Sequence, residues 1–247
     1  MGAGAVSPKR RFRFWPLLLL GLLFCFVGFG GLWLSGSSWL ALGHVEVEGL
    51  QELSKSELLV IAGIGEPVNL LRVRPELLQH RLEQDLRIRR AEVERKFPWN
   101  LRILVEERRP LAYVTAAYGI LAIDRDGTVL AVQRYLKDMR WPFITGISAG
   151  QEYIGDKLSQ PQAVLALQFL DRLDTQTLEK VSEVHFVTPE RMQLYLVSGA
   201  KVRLGDGTKM AEKAQKVQEL VEQLGDKLER VDYFDVSFAT PVIKFKP

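Results

Sequence analysis

The residues best placed to do chemistry are a pair of carboxylates. The stretch ILAIDRDGTVLA, Ile120 to Ala131, runs an apolar strand into Asp124-Arg125-Asp126-Gly127-Thr128. Two acids at this spacing could share acid–base work or help to hold a hard cation. The same letters also spell a plain β-hairpin: strand, Asp-Gly turn, strand. As a calcium loop the stretch is deficient, because it lacks the first oxygen ligand and the closing Glu of an EF-hand. His44, His80 and His185 are scattered without metal-ligand spacing, and the single cysteine, Cys25, permits no intramolecular disulfide. No cofactor is expected.

The elements around the acids decide between these readings. Asp-x-Asp-Gly-Thr resembles the opening signature of the haloacid-dehalogenase-like phosphatases. That resemblance implies Asp124 as nucleophile, Asp126 as general acid and base, and a magnesium ion. Such an enzyme needs parallel strands joined by long crossovers. It also needs a Ser or Thr after a second strand, a Lys and a late acidic pair, for which Thr145, Lys157 and Asp206 are the candidates. Only about 18 residues separate Gly127 from Thr145, with no helical pattern between them, and Gly205-Asp206 continues as Gly-Thr-Lys-Met with no second acid. Strand, Asp-Gly and strand, with other short strands and tight turns nearby, predict antiparallel hairpins. The hairpin, with Asp126-Gly127 at its tip, is the preferred reading, and an exported phosphatase using Asp124 and Asp126 stands as a minor alternative.

The chain has 247 residues, a formal charge of +3, 47% hydrophobic and 26% charged residues. That is a globular balance with an added apolar segment, and the basic excess is too small to argue for nucleic acid. The apolar segment is near the start. After the basic run KRRFR, no charged residue occurs from Phe14 until Glu46. Leu17 to Leu34 as a helix would measure about 27 Å, enough to cross a hydrocarbon core. Trp15 and Trp33 fall near its two ends, and Lys9, Arg10, Arg11 and Arg13 flank only the first. We expect a cytoplasmic tail over 1–14, a transmembrane helix over 15–40, and the remainder outside the membrane. The apolar run is longer than the 7–15 or so residues of a cleavable signal peptide.

Two units follow. In the first, over 43–112, HVEVEGL alternates as a half-buried strand. Ser54 or Ser56 caps a helix through ELLVIAGI that Gly63 and Gly65 stop. Pro75 opens a second helix, with Leu77, Leu78, Leu82 and Leu86 marking one face. Ala91, Val93, Leu101, Ile103 and Val105 alternate through a final hairpin. In the second unit, over 113–247, strands at YGILAI, TVLAV, WPFITGI, VSEVHFV, RMQLYLV and KVRLGD accompany a helix entered at Pro161. Met210, Ala214, Val217, Leu220, Val221 and Leu224 share a face of another helix, before VDYFDVSF and PVIKFK close the chain.

The order strand, helix, helix, strand, strand directly after a single span resembles a POTRA domain, and more closely that of the FtsQ/DivIB cell-division family. HVEVEGL, LLRVRPELLQHRLEQ and the hairpin AEVERKFPWNLRILVEERRPLAYV carry the likeness. Tyr118 to Gly127, LGDGTKMAEKAQKVQEL and VDYFDVSF continue it through the second unit, Val236 and Ser237 replacing the family's Leu and Arg. The fold class implied is α+β: a transmembrane helix, a β-α-α-β-β POTRA domain, then a mixed antiparallel β domain with two or more helices. The resemblance implies a non-enzymatic scaffold of the division septum that bridges early and late division proteins. Its partners would be FtsB/DivIC-like and FtsL-like coiled-coil proteins and, through them, septal peptidoglycan synthases. The family's partner-binding surface lies at its final strands. Matched through VDYFDVSF, it falls on Tyr233, Phe238, Thr240 and Val242, where strand addition to a sheet edge is the expected mode. A POTRA-type chaperone or receptor for secretion is the alternative. The basic cluster Arg87, Arg89 and Arg90 is read as a solvated surface or a docking patch.

Overall fold

The computed structural model describes residues 20–26, 43–96, 98–135 and 140–247. The expected membrane span, 15–40, lies outside these residues except for 20–26, which are helical with exposed side chains. No helix among the described residues is long and apolar enough to cross a membrane.

The chain divides into two compact units. The first comprises residues up to Asp85 together with Arg90–Glu106, and the second comprises Leu86–Arg89 together with Glu107–Pro247. The first unit holds β1 (His44–Glu48), α1 (Lys55–Ala62), α2 (Pro75–Glu83) and most of β2 (Ile88–Lys96) and β3 (Asn100–Glu107), of which Ile88, Arg89 and Glu107 belong to the second. Its sheet has the order β1-β3-β2, with β1 parallel to β3, so that Val45 pairs with Leu101 and Val47 with Ile103. Val45, Leu101, Ile103 and Val105 of the strands and Leu58, Ala62, Leu78 and Leu82 of the two helices are all buried. Of the two serines that could start α1, Ser54 does so. Its Oγ accepts the Glu57 N–H at 3.2 Å, while the Glu57 carboxylate accepts the Ser54 N–H at 2.9 Å, a reciprocal capping box. Gly63 ends α1 in the left-handed region at φ 67°, and a Cβ there would lie 2.3 Å from the Arg81 guanidinium. The leucine face predicted for α2 is narrower than expected. Leu78 and Leu82 are buried, Leu77 is 59% exposed, and the helix ends before Leu86.

The second unit is a nine-stranded sheet with helices. Its strands are β4 (Ala112–Ala116), β5 (Gly119–Ile123), β6 (Val129–Gln133), β7 (Phe143–Thr145), β8 (Val181–Thr188), β9 (Arg191–Leu196), β10 (Lys201–Gly205), β11 (Val231–Asp235) and β12 (Val242–Phe245). The order across the sheet is β12-β11-β10-β9-β8-β7-β4-β5-β6. The α-helices are α3 (Pro161–Leu170), α4 (Thr175–Glu179) and α5 (Met210–Leu224), with a 3₁₀ turn over Gly225–Arg230. The hairpins predicted from sequence are present at β5-β6, β8-β9 and β9-β10, and β4-β5 and β11-β12 are antiparallel as well. The sheet is nevertheless mixed: β4 with β7, β7 with β8, and β10 with β11 are parallel. The last two pairs enclose α3 with α4, and α5, as the crossovers that parallel neighbours require.

One register row shows how the alternation builds the core. Leu121, Val114, Ile144, Val184, Leu194, Val202, Phe234 and Ile243 are neighbours in turn across eight strands. The first seven are at most 1% exposed, and Ile243 packs against the same cluster. Ala163, Ala166, Phe169 and Leu170 of α3, and Met210, Ala214, Val217 and Val221 of α5, belong to that core. The adjacent row has the opposite parity and carries Tyr113, Phe143, Glu183, Tyr195, Lys201, Tyr233 and Lys244.

Lys213 is the charged exception on the buried face of α5. At 5% exposed, it donates to the Asp206 carbonyl at 2.8 Å and to Asp206 Oδ1 at 2.9 Å. Hydrogen bonds from the Thr208 hydroxyl and from Lys213 hold the Asp206 carboxyl down at about 2, against an ordinary 3.8. A depressed folded-state value contributes stability that is fully present above 3.8 and is lost as pH falls through about 2. We therefore expect the urea midpoint of the native protein to fall more steeply than that of Asp206→Asn over that interval. Parallel curves for the two proteins would refute the assignment.

Candidate functional site at the terminal sheet edge

The four residues expected to meet a partner fall at one end of the large sheet, on two kinds of structure. Tyr233 is on β11, half-buried, with the Arg203 guanidinium 4.0 Å and the Lys244 ammonium 5.8 Å from its ring centre. These are cation–π distances. Val242 opens β12 opposite Asp235, on the same sheet face as Tyr233 and Lys244, and is 50% exposed. Phe238 and Thr240 are not on a strand. The chain leaves β11 because the Asp235 side chain accepts the Ser237 N–H at 3.0 Å and the Ser237 hydroxyl at 2.5 Å, a local bond that competes with the ladder. Beyond that turn Phe238 is 61% exposed, and its carbonyl, not its ring, takes the Lys216 ammonium at 3.2 Å. Phe234 and Val236, at 0% and 1% exposed, are core. Pro241 stands just before β12, where its missing N–H removes nothing from the strand.

β12 is the outermost strand on its side of the sheet. The Lys246 N–H donates inward to the Arg230 carbonyl at 2.8 Å. With a period of two, the N–H and C=O groups of Ile243 and Phe245 point away from β11, along the open edge. Phe245, 50% exposed, was missed from the sequence. Its signal is the PVIKF alternation, in which Phe245 follows Ile243 at a spacing of two and stands three residues past Val242. At this edge Lys244 pairs with Asp232 at 3.0 Å and the Lys246 ammonium donates to the Glu229 carbonyl at 2.7 Å, while Lys201 and Arg203 stand two strands inward on β10.

The Asp124–Asp126 stretch is a structural hairpin turn. Asp124 is 1% exposed. Its Oδ1 accepts the N–H groups of Asp126 at 2.9 Å and Thr128 at 2.8 Å, and its Oδ2 accepts from Arg108 Nη1 at 2.5 Å. A carboxylate so enclosed has no face to offer a substrate. Asp126 receives two bonds from Arg89, at 2.7 and 2.9 Å, and one from Arg108 at 3.3 Å. The Arg89 hydrogen bond, with added attraction from Arg108, holds the Asp126 carboxyl below its usual range. Gly127 supplies the left-handed φ of 78° at the tip. Of the residues that a phosphatase would recruit, Thr145 bonds to Glu183 and His185, and Asp206 is held by Thr208 and Lys213. Among the described residues no group of three or more His, Cys, Asp or Glu is disposed to hold a metal ion. Two members of the basic cluster join this network, Arg89 through Asp126 and Arg87 through its carbonyl, which accepts the Arg108 N–H, while Arg90 pairs with Glu92 on its own strand at 2.9 Å.

A β-α-α-β-β unit followed by a mixed sheet with an open terminal strand defines a POTRA-bearing protein with a strand-rich C-terminal unit. The model for the FtsQ-type POTRA domain matches residues 40–108. The model for the C-terminal part of the cell division protein FtsQ/DivIB matches residues 112–237, just over half of the chain. The chain belongs to the FtsQ/DivIB family, whose members are non-enzymatic cell division proteins. The FtsQ of Geobacter sp. (strain M21) is 29% identical over 226 residues, 88% of this chain and 81% of its own. The FtsQ of Streptomyces coelicolor is 28% identical over 250 residues, 95% of this chain and 91% of its own. A solved structure of the major extracytoplasmic domain of DivIB from Geobacillus stearothermophilus covers 49% of this chain and 97% of its own. Its identity is 16% and its TM-score 0.35, a level that adds nothing to the fold described above.

Proposed function

We propose that this chain is a single-span scaffold of the bacterial division machinery. Its two folded units stand outside the membrane at the septum. It bridges early and late division proteins by binding FtsB/DivIC-like and FtsL-like coiled-coil partners, and through them influences septal peptidoglycan synthesis. Family membership supports the division role. The observation that carries the binding mode is β12: an outermost strand with Ile243 and Phe245 main-chain groups directed outward. A partner strand adds there by main-chain hydrogen bonds. Phe238, Thr240 and Val242 beside the edge, with Tyr233 on the adjoining face, select its side chains. The secretion-receptor alternative loses its ground, because the C-terminal unit matches the division family.

The test separates main-chain pairing from side-chain contact. Phe245→Pro removes one outward donor, whereas Phe245→Ala removes only the ring. An unpaired partner carbonyl costs about 1–3 kcal/mol, roughly five- to 150-fold in affinity. Co-purification from source membranes should therefore lose the small coiled-coil proteins in the proline variant and retain them in the alanine variant. Full retention by both would sink strand addition at β12.

A further inference from the structure

The first unit carries a basic, leucine-edged groove that the binding role above does not use. It is a cavity of about 580 Å³ where α1 ends and α2 begins, with Val68, Arg72, Arg74, Leu77 and Arg81 among its walls. Leu77, from the predicted buried face of α2, is 59% exposed here, and so is the neighbouring Leu71. Arg81 is fixed in the floor, donating to the Ala62 carbonyl at 2.8 Å. Arg72 and Arg74 have no carboxylate partner among the described residues. The acids nearest in sequence do not neutralise them. Glu66 is engaged by Lys55 at 2.7 Å and by the Val45 N–H at 3.1 Å, and Glu76 forms no ion pair among the described residues.

The groove also has a fixed place along the chain. Val68, one of its walls, exchanges both main-chain hydrogen bonds with Gly43, at 3.0 and 2.9 Å. Gly43 is where the chain enters this unit from the apolar segment. Residues 35–42 lie between Leu34 and that point, and a stretch of this length spans at most about 28 Å. We propose that this groove docks on the membrane, its arginines taking the phosphates of anionic lipid headgroups while Leu71 and Leu77 enter the interfacial region. Exposed leucines interleaved with cations are what such a surface requires. The short tether makes the bilayer the anionic surface always within reach. The proposal rests on the reading of 15–40 as a membrane span whose apolar core ends at Leu34.

The experiment uses the full chain with Cys25→Ser and a polarity-sensitive fluorophore on Leu71→Cys, reconstituted in bilayers of defined composition. Emission should move to the blue in phosphatidylglycerol-rich bilayers and not in pure phosphatidylcholine. The shift should weaken in high salt as the Debye length shrinks. Arg72→Glu with Arg74→Glu should lower the docked-to-free ratio by at least roughly thirtyfold, given the worth of two arginines at an anionic surface. The same emission in both lipids would overturn the proposal. So would polyglutamate producing the shift in neutral bilayers as strongly as anionic lipid does, because an acidic chain would then be the occupant. Carbonate extraction of the same vesicles reads the anchor separately. Release of the chain would sink the span, while emission measured before extraction still reports on the groove.

Discussion

Arg108→Met should destabilise the second unit by about 3 kcal/mol, the low end for breaking a buried ion pair. The side chains involved are 17% and 2% exposed, so little water is available to replace the lost guanidinium. Asp124 would keep its two backbone N–H donors, which is why the low end applies. The fate of the charge distinguishes this mechanism from simple loss of packing. Asp124→Asn leaves Oδ1 to accept the same two N–H groups but turns an amide donor toward the Arg108 guanidinium, at a cost of about 1–3 kcal/mol. The double variant Arg108→Met/Asp124→Asn has neither a buried charge nor opposed donors. It should be more stable than Arg108→Met alone. Denaturant titration of the four proteins gives the cycle, and additive effects would mean that the two side chains do not act as a pair.

The second large effect divides two phenylalanines four residues apart. Phe234→Ala should lose about 3–5 kcal/mol, because it empties a fully buried position between Val202 and Ile243 in the row that crosses the sheet. Phe238→Asp should leave stability within about 0.5 kcal/mol of the native protein, since its ring is largely in water. Under the proposed function, Phe238→Asp should nevertheless abolish capture of the coiled-coil partners. Loss of the cooperative unfolding transition in Phe238→Asp would make that residue core and remove it from the binding surface. The same geometry rules out truncation at Glu229 as a clean test of the edge, because it deletes Val231, Phe234 and Val236 from the core along with β12.

Phe234 and Phe238 also mark the boundary of what alternation can tell. In VDYFDVSF the period of two places both on one face, provided that the strand continues. It stops at Asp235, because that side chain bonds Ser237, and the parity argument ends with it. The same limit appears at Leu77. The helical period put it with Leu78 and Leu82, yet the core against α2 is narrow enough that only the latter two are covered.

By itself the sequence determined the local elements of this protein. Period-two and period-3.6 patterns, a capping serine at Ser54 or Ser56, Pro at the start of two helices and the Asp-Gly turn are all short-range physics, written within a few residues of where they act. They were enough to order the POTRA unit and to read Asp126-Gly127 as a turn. Tertiary structure alone decided which strands became neighbours. β3 lies between β1 and β2, and β7 inserts between β4 and β8 to make parallel pairs, because burying one continuous apolar row across eight strands depends on all of them at once. It also decided the fate of the acids. Asp124 could have been a nucleophile until Arg108, 16 residues earlier and at the end of another strand, closed over it. No local pattern encodes that contact, because its energy exists only once burial has removed the water that would otherwise solvate both charges.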